Sequence, residues 1–315
     1  STQFRWRQLK FSGNGLNWDH WAIDNIRIEA RSLLEEVTGT PDSDYFIGSK
    51  KSKKYIFGGG YDVIDYSSLE TAITFLKDGK VNKGINGIDI FVDSPEEFIA
   101  SNSSEDWIDA LSDRRQQQNI EVDLTTGTLE VFTAGAIEST SLKISNFENI
   151  RGSDTADRIK GDRNNNILQG NGGDDLMLAS AGNDTYTFGP GKDTIDYSRL
   201  NTSISLIRGG TVDKGSLGID TFTDFYSTIK ASNSKSDWID GLTGGGQIAS
   251  LNVDLSTSSL DISGIPSTSN ISVKIQNFEN VKGSNTADTI KGDRNNNILQ
   301  GNGGDDLMLA SAGND

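Results

Sequence analysis

The chain has 315 residues and carries 45 Asp and Glu against 29 Lys and Arg, which gives a formal net charge of −16. This acidity excludes the basic surface that nucleic acids and anionic membranes require, and no run approaches the ~18 apolar residues of a membrane-spanning helix. Because there is no cysteine, thiolate zinc sites, thiol catalysis and disulfides are excluded, and a Ser-His-Asp triad would have to use the single histidine, His20.

The N-terminal region, 1–37, differs in kind from the rest of the chain. Aromatic residues alternate in FRWRQLKF (4–11), and WAIDNIRI (21–28) has the pattern of a final strand. Region 1–37 resembles the terminal strands of a reelin-like or jelly-roll β-sandwich. Since a few strands cannot bury a core alone, we expect them either to pack on the following region or to complete a sandwich whose other strands lie upstream.

A long internal repeat organises the remaining sequence. Segment 152–184 recurs at 283–315, a 131-residue offset, with two differences, Asp154 to Asn285 and Arg158 to Thr289. We therefore divide the chain into region 1–37, a first repeat unit within 38–184 and a second unit at 185–315. Self-similarity at a fixed offset indicates a repeat architecture built from tandem units.

A nine-residue period runs inside each unit. An Asp or Asn recurs in phase, with an apolar residue two positions later. We call these polar positions the ladder slots: Asp157, Asn166, Asp175, Asp184 and Asp193 in the first block, and Asp288, Asn297, Asp306 and Asp315 in the second. Nine residues suit a short strand and a turn, so the period predicts an all-β fold, a parallel β-roll or β-solenoid of tandem 131-residue units.

The ladder slots predict cation sites. Two nonapeptides make one coil, so slots that are two nonapeptides apart, such as Asp157 and Asp175 or Asn166 and Asp184, should stack on the same edge. Stacked carboxylates about 5 Å apart repel one another unless a cation neutralises them. Calcium, with about six to eight oxygen ligands, suits them better than magnesium. In the alternative, Asp and Asn only cap their own turns, but nine slots in phase favour calcium.

The segments GNGGDDLML (170–178) and ASAGNDTYT (179–187) resemble the GGxGxDxUx nonapeptide of the RTX calcium-binding proteins, whose repeats form parallel β-rolls. Asn166 replaces the family aspartate, so GDRNNNILQ is expected to form a weaker or partial site. The resemblance implies irregular coils between the repeats, and calcium held by the slot side chains and by backbone carbonyls near glycines of both blocks. These glycines are Gly170, Gly172, Gly173 and Gly182, with Gly301, Gly303, Gly304 and Gly313 in the second block.

Near the start of the first unit, Asp44 and Asp62 occupy ladder slots with Lys53 between them. An ammonium group can supply the charge that calcium supplies elsewhere, so we expect no ion bound by Lys53. A solvated basic turn is the alternative. Asp44 with Asp62 is a further candidate calcium site.

Other residues carry weaker signals. Trp107 and Trp238 recur at the 131-residue offset and could stack on sugars, although a repeated tryptophan in a solenoid is more often a packing residue. Glu148 and Glu279 also recur, but no cluster of acid, base and nucleophile can be placed from the sequence. We therefore expect no enzymatic activity.

These patterns favour a calcium-dependent structural segment of a secreted or cell-surface repeat protein, such as an adhesin, surface-layer or filament component. Five calcium ions would change the formal charge of −16 to about −6, which couples folding to ion binding. The family resemblance implies type I secretion from a bacterium. The alternatives are the calcium-binding region of a secreted enzyme and a glycan-binding module. The expected partners are calcium, with copies of the chain or surface glycans as further candidates.

Overall fold

The computed structural model describes residues 34–76, 78–111, 118–133, 140–207, 210–243, 250–264 and 270–315. These residues belong to one compact unit, Leu34–Asp315. The sandwich-like strands predicted in 1–37 fall almost entirely outside the described residues, so that resemblance stays a prediction.

The described residues form thirty strands, divided between two sheets of fifteen strands each. Sheet 1 contains β1 (Glu35–Thr38), β3 (Lys53–Ile56), β5 (Thr74–Leu76), β6 (Lys80–Asn82), β7 (Ile88–Phe91), β9 (Trp107–Asp109), β13 (Asn149–Arg151), β15 (Ile167–Gln169), β17 (Thr185–Thr187), β19 (Ser205–Ile207), β20 (Thr211–Asp213), β21 (Ile219–Phe222), β23 (Trp238–Asp240), β27 (Asn280–Lys282) and β29 (Ile298–Gln300). Sheet 2 contains β2 (Tyr45–Ile47), β4 (Val63–Asp65), β8 (Glu97–Ile99), β10 (Gln118–Asp123), β11 (Thr128–Thr133), β12 (Thr140–Ser145), β14 (Arg158–Lys160), β16 (Leu176–Leu178), β18 (Thr194–Asp196), β22 (Thr228–Lys230), β24 (Ser250–Asp254), β25 (Ser259–Ser263), β26 (Ile271–Gln276), β28 (Thr289–Lys291) and β30 (Leu307–Leu309).

The strand register confirms the predicted β-roll. Successive short strands alternate between the sheets, and strands two apart pair in parallel: β14 with β16 and β16 with β18 in sheet 2, and β15 with β17 in sheet 1. Ile159 lies opposite Met177 and Leu168 opposite Tyr186. Two nonapeptides therefore make one coil of the solenoid, as the spacing of the ladder slots predicts.

The core lies between the two sheets. Each three-residue strand of the repeat block directs its middle side chain inward, because successive side chains on a strand point to opposite faces. These middle residues are fully buried: Ile159, Leu168, Met177, Tyr186 and Ile195. The apolar position of the nonapeptide thus forms a continuous core along the roll.

The segments between the repeats depart from the nine-residue period, as the sequence indicates. They fold as three-stranded antiparallel meanders inserted into the otherwise parallel sheets: β5–β6–β7 and β10–β11–β12 in the first unit. Their equivalents in the second unit are β19–β20–β21 and β24–β25–β26. Alternating apolar residues let the hairpin strands of these irregular coils continue the sheets.

A short 3-10 helix links the last two strands of each sheet-1 meander, Gly84–Asn86 in the first unit and Gly215–Leu217 in the second. Strand β26 alternates between exposed and buried side chains over its central residues. Among the described residues, helices of the length and apolar character needed to cross a bilayer are absent.

Candidate calcium sites

With the exception of Asp315, the ladder slots lie directly before strands, in the turns along the two edges of the roll. We call the turns leading into sheet 1 edge 1 and those leading into sheet 2 edge 2. In the first repeat block, edge 2 carries Asp157, Asp175 and Asp193, while edge 1 carries Asn166 and Asp184. All five side chains are buried, so solvent screens the charges of the four aspartates poorly.

Slots one coil apart are joined by a backbone-to-carboxylate hydrogen bond. The N–H of Asp157 donates to Oδ1 of Asp175 (2.8 Å), and the N–H of Asp175 donates to Oδ1 of Asp193 (3.0 Å). On edge 1 the N–H of Asn166 donates to Oδ1 of Asp184 (3.0 Å). The structure thus brings together the residues that the sequence paired. Oδ2 of Asp175 is left without a hydrogen-bond partner, whereas Oδ2 of Asp184 accepts the hydroxyl of Ser180 (2.9 Å).

The same bond recurs at the other predicted slots. It joins Asp288 to Asp306 and Asn297 to Asp315, each at 3.0 Å. It also joins Asp44 to Asp62 at 2.8 Å. Asp44 is satisfied locally as well, because its Oδ2 accepts the N–H of Thr40 (2.6 Å).

On edge 2 the second carboxylate oxygens meet carbonyl oxygens of the next coil beside glycines. A Cβ atom at Gly152 would lie 2.5 Å from Oδ2 of Asp157 and 2.6 Å from the carbonyl oxygen of Gly170. A Cβ at Gly170 would overlap Oδ2 of Asp175 and lie 2.8 Å from the carbonyl oxygen of Phe188. We call each of these oxygen-lined spaces a glycine cradle. Their donors, carboxylate and carbonyl oxygens, are those that calcium prefers.

The second block repeats the cradle. A Cβ at Gly283 would lie 2.6 Å from both Oδ2 of Asp288 and the carbonyl oxygen of Gly301. A Cβ at Gly301 would overlap Oδ2 of Asp306. Both blocks therefore place the carbonyl of a predicted glycine, Gly170 or Gly301, beside a slot carboxylate.

The other predicted glycines shape the turns. Gly173 and Gly182 have φ of +111° and +106°, and a Cβ on either would overlap the backbone of the neighbouring coil. The equivalent residues of the second block, Gly304 and Gly313, also have positive φ. The structure gives these four a clear steric role. Gly172 and Gly303 instead donate their N–H to the carbonyls of Ser153 and Ser284 (both 3.3 Å).

Asp175 provides the test of whether calcium fits. Its side chain is 1% exposed, and its Oδ2 is a buried oxygen without a hydrogen-bond partner. Burial, reinforced by the carboxylates of Asp157 and Asp193, raises the pKa of Asp175 to about 8. A buried carboxylate oxygen needs a proton or a cation beside it. Within the described ranges, no three acidic or histidine side chains converge on a possible metal position, so a bound ion would depend on main-chain carbonyls as well.

The asparagine slots are satisfied without an ion. Nδ2 of Asn166 donates to the carbonyl oxygen of Glu148 (2.7 Å), and Oδ1 accepts the N–H of Asp162 (2.9 Å). Asn297 makes the same bonds with Glu279 and Asp293. In both slots the amide N–H donates to a carbonyl oxygen, where the oxygen of an aspartate would be repelled unless a cation lay between them. This arrangement is consistent with the prediction of a weaker or partial calcium site.

Lys53 does not neutralise its edge. Its Nζ lies 3.6 Å from Oε1 of Glu35 on sheet 1, in an ion pair whose lysine is partly buried and whose glutamate is exposed. The backbone N–H of Lys53 donates to Oδ1 of Asp89 (2.7 Å). A different lysine, the fully buried Lys83, places its ammonium group at this edge, 2.6 Å from Oδ1 of Asp89. The sequence reasoning missed Lys83 and its equivalent Lys214, although the 131-residue offset pairs them.

Further acidic residues extend the ladders beyond the predicted slots. Oε2 of Glu148 accepts the N–H of Asp106 (2.9 Å), and Oε2 of Glu96 accepts the N–H of Asp62 (2.7 Å). Glu148 is therefore a structural acceptor. Trp107 lies half-buried in β9, with the guanidinium of Arg151 5.4 Å from its ring centroid.

Comparison with protein families agrees with this geometry. The model of the RTX calcium-binding nonapeptide repeat (4 copies) matches residues 151–186 and 282–315, the two segments that carry the repeat-block ladders. No curated protein gives a significant match to the chain. The two blocks are RTX calcium-binding nonapeptide repeats, and they lie within a structural repeat region, residues 34–315, whose described part is built as a β-roll.

Proposed function

We propose that this region is a calcium-dependent structural segment of a secreted or cell-surface repeat protein, such as an adhesin, surface-layer or filament component, and that it has no catalytic role. The observation that carries the proposal is the stack of Asp157, Asp175 and Asp193 on edge 2, with the unpartnered Oδ2 of Asp175 at its centre. Bound calcium supplies the positive charge that such a stack lacks.

Calcium dependence suits a protein that works outside the cell. Calcium modules of extracellular proteins bind with dissociation constants of roughly 10⁻⁴–10⁻³ M. A chain with a net charge of −16 would repel itself at low calcium and become compact where calcium is abundant. Because calcium is scarce inside the cell and abundant outside it, the chain would be secreted unfolded and would fold after secretion.

The outer faces of the sheets favour a structural role. They carry Lys–Asp pairs at equivalent positions of both units: Lys160 with Asp123 (3.1 Å) and Lys291 with Asp254 (3.0 Å). Such pairs couple adjacent strands, β10 with β14 and β24 with β28. The ring of Trp107 is likewise engaged by Arg151, which gives glycan stacking no support at that position.

Limited proteolysis of the 315-residue chain, in chelator and in millimolar calcium, tests the proposal. We expect cleavage throughout 157–193 in chelator and protection of the same residues in calcium. Antibodies against the region should label intact cells or the culture medium. Equal protease resistance in both conditions would contradict calcium dependence, and labelling only after lysis would contradict the extracellular assignment.

A further inference from the structure

Two lysines are fully buried in the described part of the roll. Lys83 and Lys214 are both 0% exposed and occupy equivalent positions of the two units, each directly before the 3-10 helix of a sheet-1 meander. A buried ammonium group is costly unless acidic or carbonyl oxygens surround it. The surroundings of these two groups are therefore informative.

The ammonium group of Lys214 is surrounded by oxygen atoms on edge 1. Nζ donates to the carbonyl oxygen of Ser180 (2.8 Å) and to Oδ1 of Asp220, and it lies 3.5 Å from Oδ2 of Asp184. Asp184 is a ladder slot. One carbonyl and two carboxylates are the kinds of donor that line the glycine cradles on edge 2.

Lys83 has the matching position in the first unit with one carboxylate fewer. Its Nζ donates to the carbonyl oxygens of Ser49 and Lys51 (both 2.8 Å) and to Oδ1 of Asp89 (2.6 Å). The residue equivalent to Asp184 in this unit is Lys53. The second carboxylate is therefore missing, and a carbonyl takes its place beside the ammonium.

The acidic partners belong to the ladder by their backbone bonds. Oδ1 of Asp220 accepts the N–H of Asp184 (3.2 Å), and Oδ1 of Asp89 accepts the N–H of Lys53 (2.7 Å). This is the bond that joins the predicted calcium slots, here spanning 36 residues because a meander intervenes. The other oxygen of Asp220 accepts the hydroxyl of Tyr197 (2.9 Å).

We infer that Lys83 and Lys214 are resident cations, each of which takes the place of calcium at one position on edge 1. Their ammonium groups hold the meander coils to the repeat coils without metal. Edge 1 is thus neutralised by the chain itself where the meanders join, whereas edge 2 of the repeat blocks depends on calcium. The inference rests on calcium binding by the neighbouring slots.

The number of calcium ions bound per chain tests this directly, measured by equilibrium dialysis and atomic absorption on the 315-residue protein. Lys214→Ala removes the ammonium and leaves the oxygens of Asp184, Asp220 and Ser180 around the vacated space. We expect this variant to bind one additional calcium ion. Lys83→Ala should gain a weaker site, because only one carboxylate, that of Asp89, remains there.

Two further variants separate charge from packing. Lys230→Ala removes a half-buried lysine whose Nζ lies 3.3 Å from Oδ2 of Asp196 on sheet 2, and it should leave the stoichiometry unchanged. Lys214→Met fills the space of the lysine stem without its charge. It should gain no ion and should unfold at lower denaturant than the wild type at every calcium concentration.

Three results would overturn the inference. The first is a Lys214→Ala variant that binds the same number of calcium ions as the wild type while giving the wild-type circular dichroism spectrum in saturating calcium. The second is failure of Lys214→Ala to fold in saturating calcium, and the third is a Lys214→Met variant as stable as the wild type. Should the wild type itself bind no calcium, the proposed function would fail. The comparison of Lys214→Met with the wild type would still decide the role of the lysine.

Discussion

The N–H of Asp157 donates to Oδ1 of Asp175 at 2.8 Å, one full coil later in the chain. This bond gives the two oxygens of Asp175 different tasks. Oδ1 fixes the neighbouring turn, while Oδ2 faces the cradle beside Gly170 with no donor. A slot aspartate therefore both spaces the coils and presents charge to an ion.

Replacing Asp175 by asparagine separates these tasks. The Asn Oδ1 can still accept the N–H of Asp157, but the charge facing the cradle is lost. We expect fewer bound calcium ions and a stability loss of about 3 kcal/mol at a hundredfold excess of calcium over its dissociation constant. Urea denaturation at several calcium concentrations measures this. Asp174→Asn, an adjacent exposed aspartate, is the matched control, and an equal effect there would contradict a specific role for Asp175.

A methyl group in the cradle should exclude the ion without changing any charge. In Gly170→Ala the added Cβ overlaps Oδ2 of Asp175 and crowds the carbonyl of Phe188. We expect at least a tenfold loss of calcium affinity, measured by titration calorimetry. Gly172→Ala is the control, since the nearest atoms to its Cβ would be 3.6 Å away. Similar affinities for the two variants would refute the cradle as the ion position.

Asn166→Asp should turn a satisfied slot into a calcium-dependent one. The new carboxylate oxygen would face the carbonyl oxygen of Glu148, where the Asn166 amide now donates. At the lowest calcium concentration that folds the wild type, we expect a loss of about 1–3 kcal/mol of stability, the cost of an unsatisfied buried polar group. Saturating calcium should restore it. If thermal unfolding at the low calcium concentration were unchanged, the amide bond would not be what satisfies this slot.

Glu148 and Glu279 predict a pH dependence of stability. Burial raises the pKa of each carboxyl to about 7, with the charges of Asp106 and Asp237, respectively, adding to the effect. Because these acids are held neutral in the fold, they favour folding at low pH, and that contribution disappears as the pH rises from about 4.5 to about 7.

The double variant Glu148→Gln, Glu279→Gln removes this titration and keeps acceptors for the N–H groups of Asp106 and Asp237. In saturating calcium we expect it to be more stable than the wild type at pH 8 by roughly 1–2 kcal/mol per site, allowing for half-burial and solvent screening. At pH 5 the two proteins should be alike. If the free energies of unfolding of the wild type and the double variant changed in parallel from pH 5 to pH 8, Glu148 and Glu279 would not be held protonated in the fold.

The sequence predicted the parts of the molecule that a short period controls. Nine-residue spacing placed Met177 in the core, and the pairing of Asp157 with Asp175 follows from two strands per coil. These relationships are local, because each coil contacts the next in a fixed register. They can therefore be read from spacing alone.

The meanders and the lysine positions could not be derived in this way. The order β3–β7–β6–β5–β9 reverses the chain within a sheet, and alternation of apolar residues does not reveal that order. The reversal brings Lys83 to edge 1 in place of the predicted Lys53. The recurrence of Lys83 as Lys214 was visible, but only the fold shows that both ammonium groups are buried.

The most direct test of the account is a calcium titration of the chelated 315-residue chain, followed by far-UV circular dichroism, with magnesium as the control ion. We predict a cooperative gain of β-sheet signal in calcium and little change in magnesium, because the stacked carboxylates on edge 2 need a large, flexibly coordinated cation. A full β-sheet signal in excess chelator, unchanged by calcium, would show that the ladder aspartates only form turns, and it would contradict calcium-dependent folding.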